Sequence, residues 1–275
     1  MDQAERDYTV VIETYLGWRL GVFLVLLPTM LAAERLRPRR REAAQWRVRW
    51  PSNFGLVIVS SVLMLAIPVS AIAAAMLAQD RSWGLLNQIG APAAVNLMVG
   101  MVLLDLAIYW QHRAMHVWRW LWPLHRVHHT DTVLDASSGL RFHPAEILLS
   151  MLWKSLVVLA IGAQPLTVLV YEIALNACSL FNHANWHLPR AADRVLRWVL
   201  VTPDMHRVHH SVRADETNSN FGNGASVWDR LFGTYVARPR AGNRHMRIGL
   251  EHWRDVAAQR LDRLLLQPWA GGRDS

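Results

Sequence analysis

Ten of the chain's thirteen histidines stand in four tight groups: His112 and His116; His125, His128 and His129; His183 and His187; His206, His209 and His210. They read HxxxH, HxxHH, HxxxH and HxxHH, spacings of three or four residues that put side chains on one face of a helix. Histidine is the commonest metal ligand among side chains. Ten imidazoles with almost no thiolate nearby point to iron, zinc, copper or nickel. They are too many for one ion, whereas two ions of roughly four to six ligands each would use them. A single HxxxH pair is a common accident of helical sequence. Two copies of HxxHH are not, because packing those rings without a metal demands a donor and an acceptor for each. If each ion is six-coordinate, ten ligands leave about one open position per ion, which suits a reactive site.

The elements that must position these rings belong to a membrane. The chain is 52% hydrophobic and only 18% charged, with 14 tryptophans. Segments 11–33, 54–79 and 92–110 each approach the ~20 residues that cross a ~30 Å hydrocarbon layer. A fourth apolar stretch, Ile147 to Phe181, is broken by Gly162 and Pro165 and reads as a helical hairpin, either two short spans or a re-entrant pair. The net charge of +8 would suit nucleic acid, but its placement argues against that partner. Arg35, Arg37, Arg39, Arg40, Arg41, Arg47 and Arg49 follow the first span directly, and a short basic loop beside a span marks the cytoplasmic side. The second span then runs outward, residues 80–91 turn outside, and the third span returns. Every histidine group thus faces the cytoplasm. The expected fold class is all-α: a multi-pass integral membrane helical bundle with a cytoplasmic histidine-rich metal-binding cap.

The single cysteine, Cys178, lies in an apolar run, so no intrachain disulfide and no cysteine-ligated cluster is expected. The acidic N-terminus and the absence of a clear small-residue cleavage site read the first span as retained. Three regions are expected: an N-terminal transmembrane hairpin with little chemistry over 1–91, a metal-bearing domain over 92–236, and a tail over 237–275. Within the second, Leu103 to His116 reads as a helix leaving the membrane. His183 to His187 reads as a helix that continues to Pro189, and Pro203 as the start of the helix carrying His206. Residues 191–201 read as an interfacial helix and Asp215 to Gly224 as a loop. From Glu251 onward, Trp253, Val256, Ala257, Leu261, Leu264 and Leu265 recur at helical spacing, as in an amphipathic helix that lies in the interface or packs on the domain.

HRAMH at 112–116, HRVHH at 125–129, NHANWH at 182–187 and HRVHH at 206–210 resemble the motifs of the fatty acid hydroxylase and sterol desaturase superfamily. The flanking DLAIYWQHR, RFHP and NFGNGASVWDRLFGTY match as well, so the resemblance covers roughly residues 95–236. It implies an integral membrane enzyme whose two iron ions, for which zinc can substitute in purified protein, activate O2 to hydroxylate or desaturate a lipid. The implied ligands are His112, His116, His125, His128, His129, His183, His187, His206, His209 and His210. Hydroxylation is the leading expectation, on a fatty acyl, sterol or ether lipid. Desaturation with the same centre, ether-lipid cleavage and metal binding without turnover remain as alternatives. With no GxGxxG fingerprint and no cysteine cluster in the sequence, the two electrons are expected from a separate ferredoxin, cytochrome or reductase that docks on the arginine-rich face.

Asp105, Tyr109, His112 and His116 share one helical face at i, i+4, i+7 and i+11. An acid within a span is expensive, and ligating histidines donate their other N–H to an oxygen, so Asp105 either orients a ligand or caps or pairs helices. Asn182 either bonds a metal-bound water or ends the hairpin. His143 either lines the site or is a hydrogen-bonded interfacial histidine. Asp131, Asp135 and Asp204 stand beside the groups as acids that either support them or are solvated. His245 and His252 fall outside the pattern.

Overall fold

The computed structural model describes residues 3–41, 45–67 and 69–271. In chain order it comprises α1 (Gln3–Leu36), α2 (Trp46–Ala66), α3 (Ala71–Asp80), the single turn α4 (Leu85–Gln88), α5 (Ala93–Val117), α6 (Trp122–His129), α7 (Pro144–Ile161), α8 (Pro165–His183), α9 (Arg190–Leu196) and α10 (Pro203–His209). Four short helices follow: α11 (Ala214–Thr217), α12 (Val227–Leu231), α13 (Gly242–His245) and α14 (Leu261–Leu266). No strand forms among the described residues. Five helical segments are long and apolar enough to cross a membrane: Ile12–Leu36, Trp46–Gln88, Ala93–Val117, Pro144–Ile161 and Pro165–His183.

The large apolar side chains point outward. Leu16, Leu20, Leu24 and Val25 of α1, Ile58, Val62 and Leu65 of α2, and Met98 and Val102 of α5 are exposed, the arrangement a hydrocarbon solvent demands. Small residues line the interior instead: Ala71, Ala74 and Ala75 of α3 are buried in the core with Leu104, Val158 and Val168, and α3 packs along α7 and α8. One buried carboxylate stitches three spans together. Glu172 of α8 accepts from Lys154 of α7 and from Tyr15 of α1, and pairs with Arg19 at 2.8 Å. Inside a bilayer such a charge persists only with partners of this kind.

The hairpin between 144 and 183 is a pair of helices of 18 and 19 residues. At 1.5 Å per residue each is about 27–28 Å long, enough to cross. Gly162, in the left-handed region at φ 70, ends α7, and Pro165 opens α8. Asn96 at the start of α5 seals this turn, donating to Gly162 O at 2.8 Å and accepting from Gln164 N and Thr167 Oγ1 at 2.9 Å. The C-terminal ends of α5 and α8 and the N-terminal end of α7 therefore lie at the opposite end of the bundle.

Two expectations from the sequence fail on proline and packing. The apolar stretch 54–79 is not one helix but α2 followed by α3. Ile67 is extended at φ −117, ψ 115, as a residue before proline tends to be, and Ser70 caps α3 by accepting Ala73 N at 3.1 Å. The amphipathic tail is likewise broken into short turns. Leu264 is fully buried against Leu56 and Val127, and Gln259 donates to Thr130 O at 3.1 Å, so this segment packs beneath α6.

Candidate metal centre

Nine of the ten motif histidines converge at the end of the bundle where α5 and α8 finish. They form two donor groups able to hold a metal ion: His112, His116, His125, His129 and His209 in the first, and His128, His183, His206 and His210 in the second. Within each group the ligand atoms lie within 4.8 Å of one another.

The repeated HxxHH motif explains the partition. On α6, His125 and His129 are one turn apart and share a face, while His128 points to one side of both, about 60° from His125 and about 100° from His129. The first two join the first group and His128 joins the second. On α10 and its cap the assignment is reversed: His206 and His210 join the second group and His209 the first. Each short helix thus gives a same-face pair to one group and a single ring to the other. The groups abut, with His129 stacked on His210 at 4.5 Å. Short helices suffice because proline and capping fix where they begin: Pro123 lies in the first turn of α6, and Thr202 caps α10 with Pro203 at its start.

Five of the rings are tightly oriented. Nδ1 of His112 lies 2.7 Å from Phe221 O, that of His125 2.6 Å from Glu146 Oε1, that of His128 3.2 Å from Arg141 O, that of His183 2.7 Å from Ser179 O, and that of His209 2.7 Å from Ser219 O. These oxygens accept, so Nδ1 carries the proton in each ring and Nε2 keeps a bare lone pair. Yet the Nε2 atoms of His112 and His125 face each other at 3.1 Å, and those of His128 and His183 at 3.0 Å. Neither contact has a proton to share. Converging lone pairs repel unless a cation sits among them, and the donor set therefore fits a metal of the kind that imidazole binds. Several further ring nitrogens, including His116 Nε2, His209 Nε2 and Nδ1 of His206 and His210, are buried without a hydrogen-bond partner.

Burial, and then the neighbouring imidazoles, hold His128, His129, His206, His209 and His210 well below the ordinary histidine range. They are neutral at physiological pH and able to ligate. Phe142 lies flat on His128, with ring centroids 4.5 Å apart, while Trp122 and Phe221 flank His116. His112 and His116 are half-buried and the other seven rings are buried, so the first group is the more accessible.

His187 departs from the expected set. It is exposed and belongs to neither group. α8 ends at His183, and the chain beyond is held extended against the residues after α1: Arg39 N donates to Asn185 O at 2.7 Å and His187 N to Arg37 O at 2.8 Å. HxxxH spacing brings two rings together only while the helix continues, and here it stops after the first.

Of the two roles open to Asp105, Asn182 and His143, each takes the one that holds the chain rather than a metal ligand. Asp105 touches no histidine. Its carboxylate accepts from Ala225 N at 3.0 Å and Trp228 Nε1 at 2.8 Å, and a side chain at Gly224 would meet it at 2.5 Å. Asp105 thereby ties α5 to the loop whose Phe221 carbonyl receives His112. Asn182 donates to Asn223 O at 3.0 Å, holding the same loop. His143 caps α7, accepting Ala145 N at 3.1 Å, and its Nε2 meets Leu265 O at 3.1 Å. Asp204 pairs with Arg39 at 2.7 Å.

The acid that does touch a ring is Glu146, in the first turn of α7. Its sequence signal is a carboxylate in the first turn of a mostly apolar helix. Asp229, which accepts from Phe221 N at 2.7 Å and Gly222 N at 2.9 Å, and the buried Arg141 were also not singled out. The N-terminal hairpin carries more than expected. Arg49 of α2 is buried between Asp131 and Asp135, and Glu34 of α1 accepts Ala136 N at 2.6 Å, so both brace the segment that follows α6. Burial works to raise Asp131, but Arg49 and Arg141 outweigh it and keep it ionised.

A helical bundle of membrane-crossing length with nine histidines gathered at one end defines a membrane protein with a histidine metal site. The fatty acid hydroxylase family profile matches residues 97–234, half of the chain, and the chain belongs to that family. It is 31% identical over 150 residues to ornithine lipid hydroxylase OlsE of Rhizobium tropici, covering 54% of this chain and 44% of that protein. It is 29% identical over 150 residues to alkylglycerol monooxygenase of Homo sapiens, covering 54% and 31%. To cholesterol 25-hydroxylase of Rattus norvegicus it is 25% identical over 148 residues, covering 53% and 48%. The chain spans less than half the length of each of these relatives. No solved structure is a significant match.

Proposed function

We propose that the chain is a membrane monooxygenase that hydroxylates a lipid at a centre of two iron ions, one in each histidine group. The observation that carries this reading is the meeting of unprotonated Nε2 atoms at 3.0–3.1 Å in both groups. His112, His116, His125, His129 and His209 would hold one ion and His128, His183, His206 and His210 the other. If each is six-coordinate, about one position stays open in the first group and two in the second. The relatives named for ornithine lipid, alkylglycerol and cholesterol support a lipid substrate. Residues 92–236 form the catalytic domain in this reading, on the cytoplasmic side marked by the basic loop after α1, with 1–91 and 237–275 bracing it.

Bound iron would supply the redox chemistry by which O2 is reduced. The overall balance is one C–H bond, one O2, two protons and two electrons giving one C–OH and one water, so a separate electron donor is required. The chain's own residues fix the ligand geometry: Glu146 and the carbonyls of Phe221, Ser179 and Ser219 hold the Nδ1 protons outward and turn Nε2 inward. Phe142 keeps water from His128.

The test is metal analysis of protein purified from iron-replete cells, followed by lipid mass spectrometry of a deletion strain against its parent. Two irons per chain and a lipid gaining one oxygen are expected. A product lacking two hydrogens would mean desaturation instead. Zinc that iron cannot replace, together with unchanged lipids, would overturn catalysis altogether.

A further inference from the structure

Behind the second histidine group, with its charged side chains outside residues 97–234, the chain builds a basic recess. A cavity of about 330 Å³ is lined by Arg40, Arg247, Arg254 and His245 together with Gln45 and Thr132. Its floor is the segment 246–250, which pairs with the residues that follow α10. Gly249 N donates to His210 O at 3.0 Å and Val212 N to Arg247 O at 3.1 Å. The arginines are fixed around this segment: Arg40 donates to Met246 O at 2.9 Å, and Arg254 to Ile248 O at 2.9 Å and Leu250 O at 2.8 Å. Arg244 and Arg247 are exposed beside them. Among the described residues, Glu251 pairs with Arg247 at 3.1 Å, and Asp255 accepts Ala258 N at 2.8 Å. Burial, and then the neighbouring charge of Arg247, hold the Arg254 guanidinium below its ordinary value, with Glu251 opposing them.

We propose that this recess is the docking site of an acidic one-electron carrier protein, whose carboxylates meet Arg244, Arg247 and Arg254. The inference rests on the reading of the chain as an oxygenase that needs external electrons. Two carriers, each oxidised by one electron, would serve one turnover. Position favours a carrier over a lipid headgroup: the floor of the recess is one hydrogen bond from the backbone of His210, a proposed ligand, which gives an electron a short bonded route inward. A structural lipid has no use for that route, and the exposed arginines extend beyond what a single phosphate engages.

The test uses the full chain in neutral phosphatidylcholine nanodiscs and a reduced plant-type [2Fe–2S] ferredoxin as probe. Equilibrium binding is expected to weaken as salt rises from about 50 to about 300 mM, because screening acts on exposed charges. R244E/R247E is expected to weaken binding by about tenfold or more, whereas R190E on α9 changes it less than about twofold. On iron-loaded protein, the rate of reduction by ferredoxin should fall in parallel, while reduction by dithionite with methyl viologen stays unchanged. Absence of binding to the native chain, or equal binding by R244E/R247E, overturns the proposal. So does an equal loss of reduction by viologen, which would place the defect in the metal centre. Undiminished ferredoxin binding with lost binding to phosphatidylglycerol vesicles would assign the patch to the membrane and also overturn it. Ferredoxin binding that depends on these arginines, with no lipid ever oxidised, would leave the docking site standing and sink the oxygenase reading.

Discussion

The two histidine groups come from the same motif and are held to different degrees. In the first, four of five rings have an Nδ1 partner: Phe221 O, Glu146, Ser219 O and, at 3.3 Å, Asn218 Oδ1. In the second, Ser179 O and Arg141 O anchor two of four, and Nδ1 of His206 and His210 is without a partner. The first group also has one more ring. A repeated motif therefore need not build equal sites, because the motif supplies rings while loops and neighbouring helices supply the anchors. The group with fewer rings and fewer anchors should release its metal first.

The largest expected effect follows from that difference. His183→Ala leaves the second group three rings, and metal analysis should fall from two ions per chain to one, with activity down about a hundredfold or more; two retained ions would break the assignment of groups. Glu146→Gln acts on the other side. It should weaken metal at the first group by about tenfold to a hundredfold, read by competition with a chelator, and leave the second group's release rate alone. An equal effect on both would mean that the groups are not separable. Asp105→Asn should lower metal affinity less, by severalfold, because it loosens the loop behind Phe221 rather than a ring. Its signature is faster hydrogen exchange over residues 221–228, and unchanged exchange there would remove Asp105 from a positioning role.

The fourth expectation concerns pH and lies away from both groups. Burial lowers the affinity of His143 for a proton, with Leu265 O opposing it in part. The folded state then binds fewer protons at this ring than the unfolded state, so stability rises with pH up to the ordinary histidine value of about 6.5 and is lost below it. Protonation also removes the acceptor for Ala145 N. The protection of residues 257–270 against hydrogen exchange, taken relative to the intrinsic exchange rate at each pH, should be lower at pH 5 than at pH 7 in the native chain, and that difference should be lost in His143→Gln. The smallest effect is expected from His187→Ala, which should leave both ions in place. Loss of an ion would mean that metal binding recruits the exposed ring and makes the two groups more alike.

The site was legible where chemistry and helix periodicity coincide. His125 with His129 and His206 with His210 were readable as pairs, since one turn of helix places them together wherever the helix goes. His187 was not readable, because its fate depends on where α8 stops, and that is set by Asn185 and the backbone of Arg39 across the bundle. Glu146 and Asp229 escaped notice for a related reason: a carboxylate looks the same in sequence whether it meets a ring, a backbone amide or water. Asp105 is readable as a costly acid in a span, but whether it orients a ligand or ties elements together is decided only by the fold, which turns its carboxylate to Ala225 N and Trp228 Nε1.

The sequence by itself determined the apolar segments, the all-helical class, the break at Gly162 and Pro165, and the nature of the metal donors, because each follows from local propensity, hydropathy or side-chain chemistry. The tertiary structure alone decided which ring joins which group, that the second group has four rings, and that Glu146 rather than Asp105 touches one. Those outcomes depend on long-range contacts between α1, α7, α8 and the loop at 218–226, and no spacing along the chain encodes them.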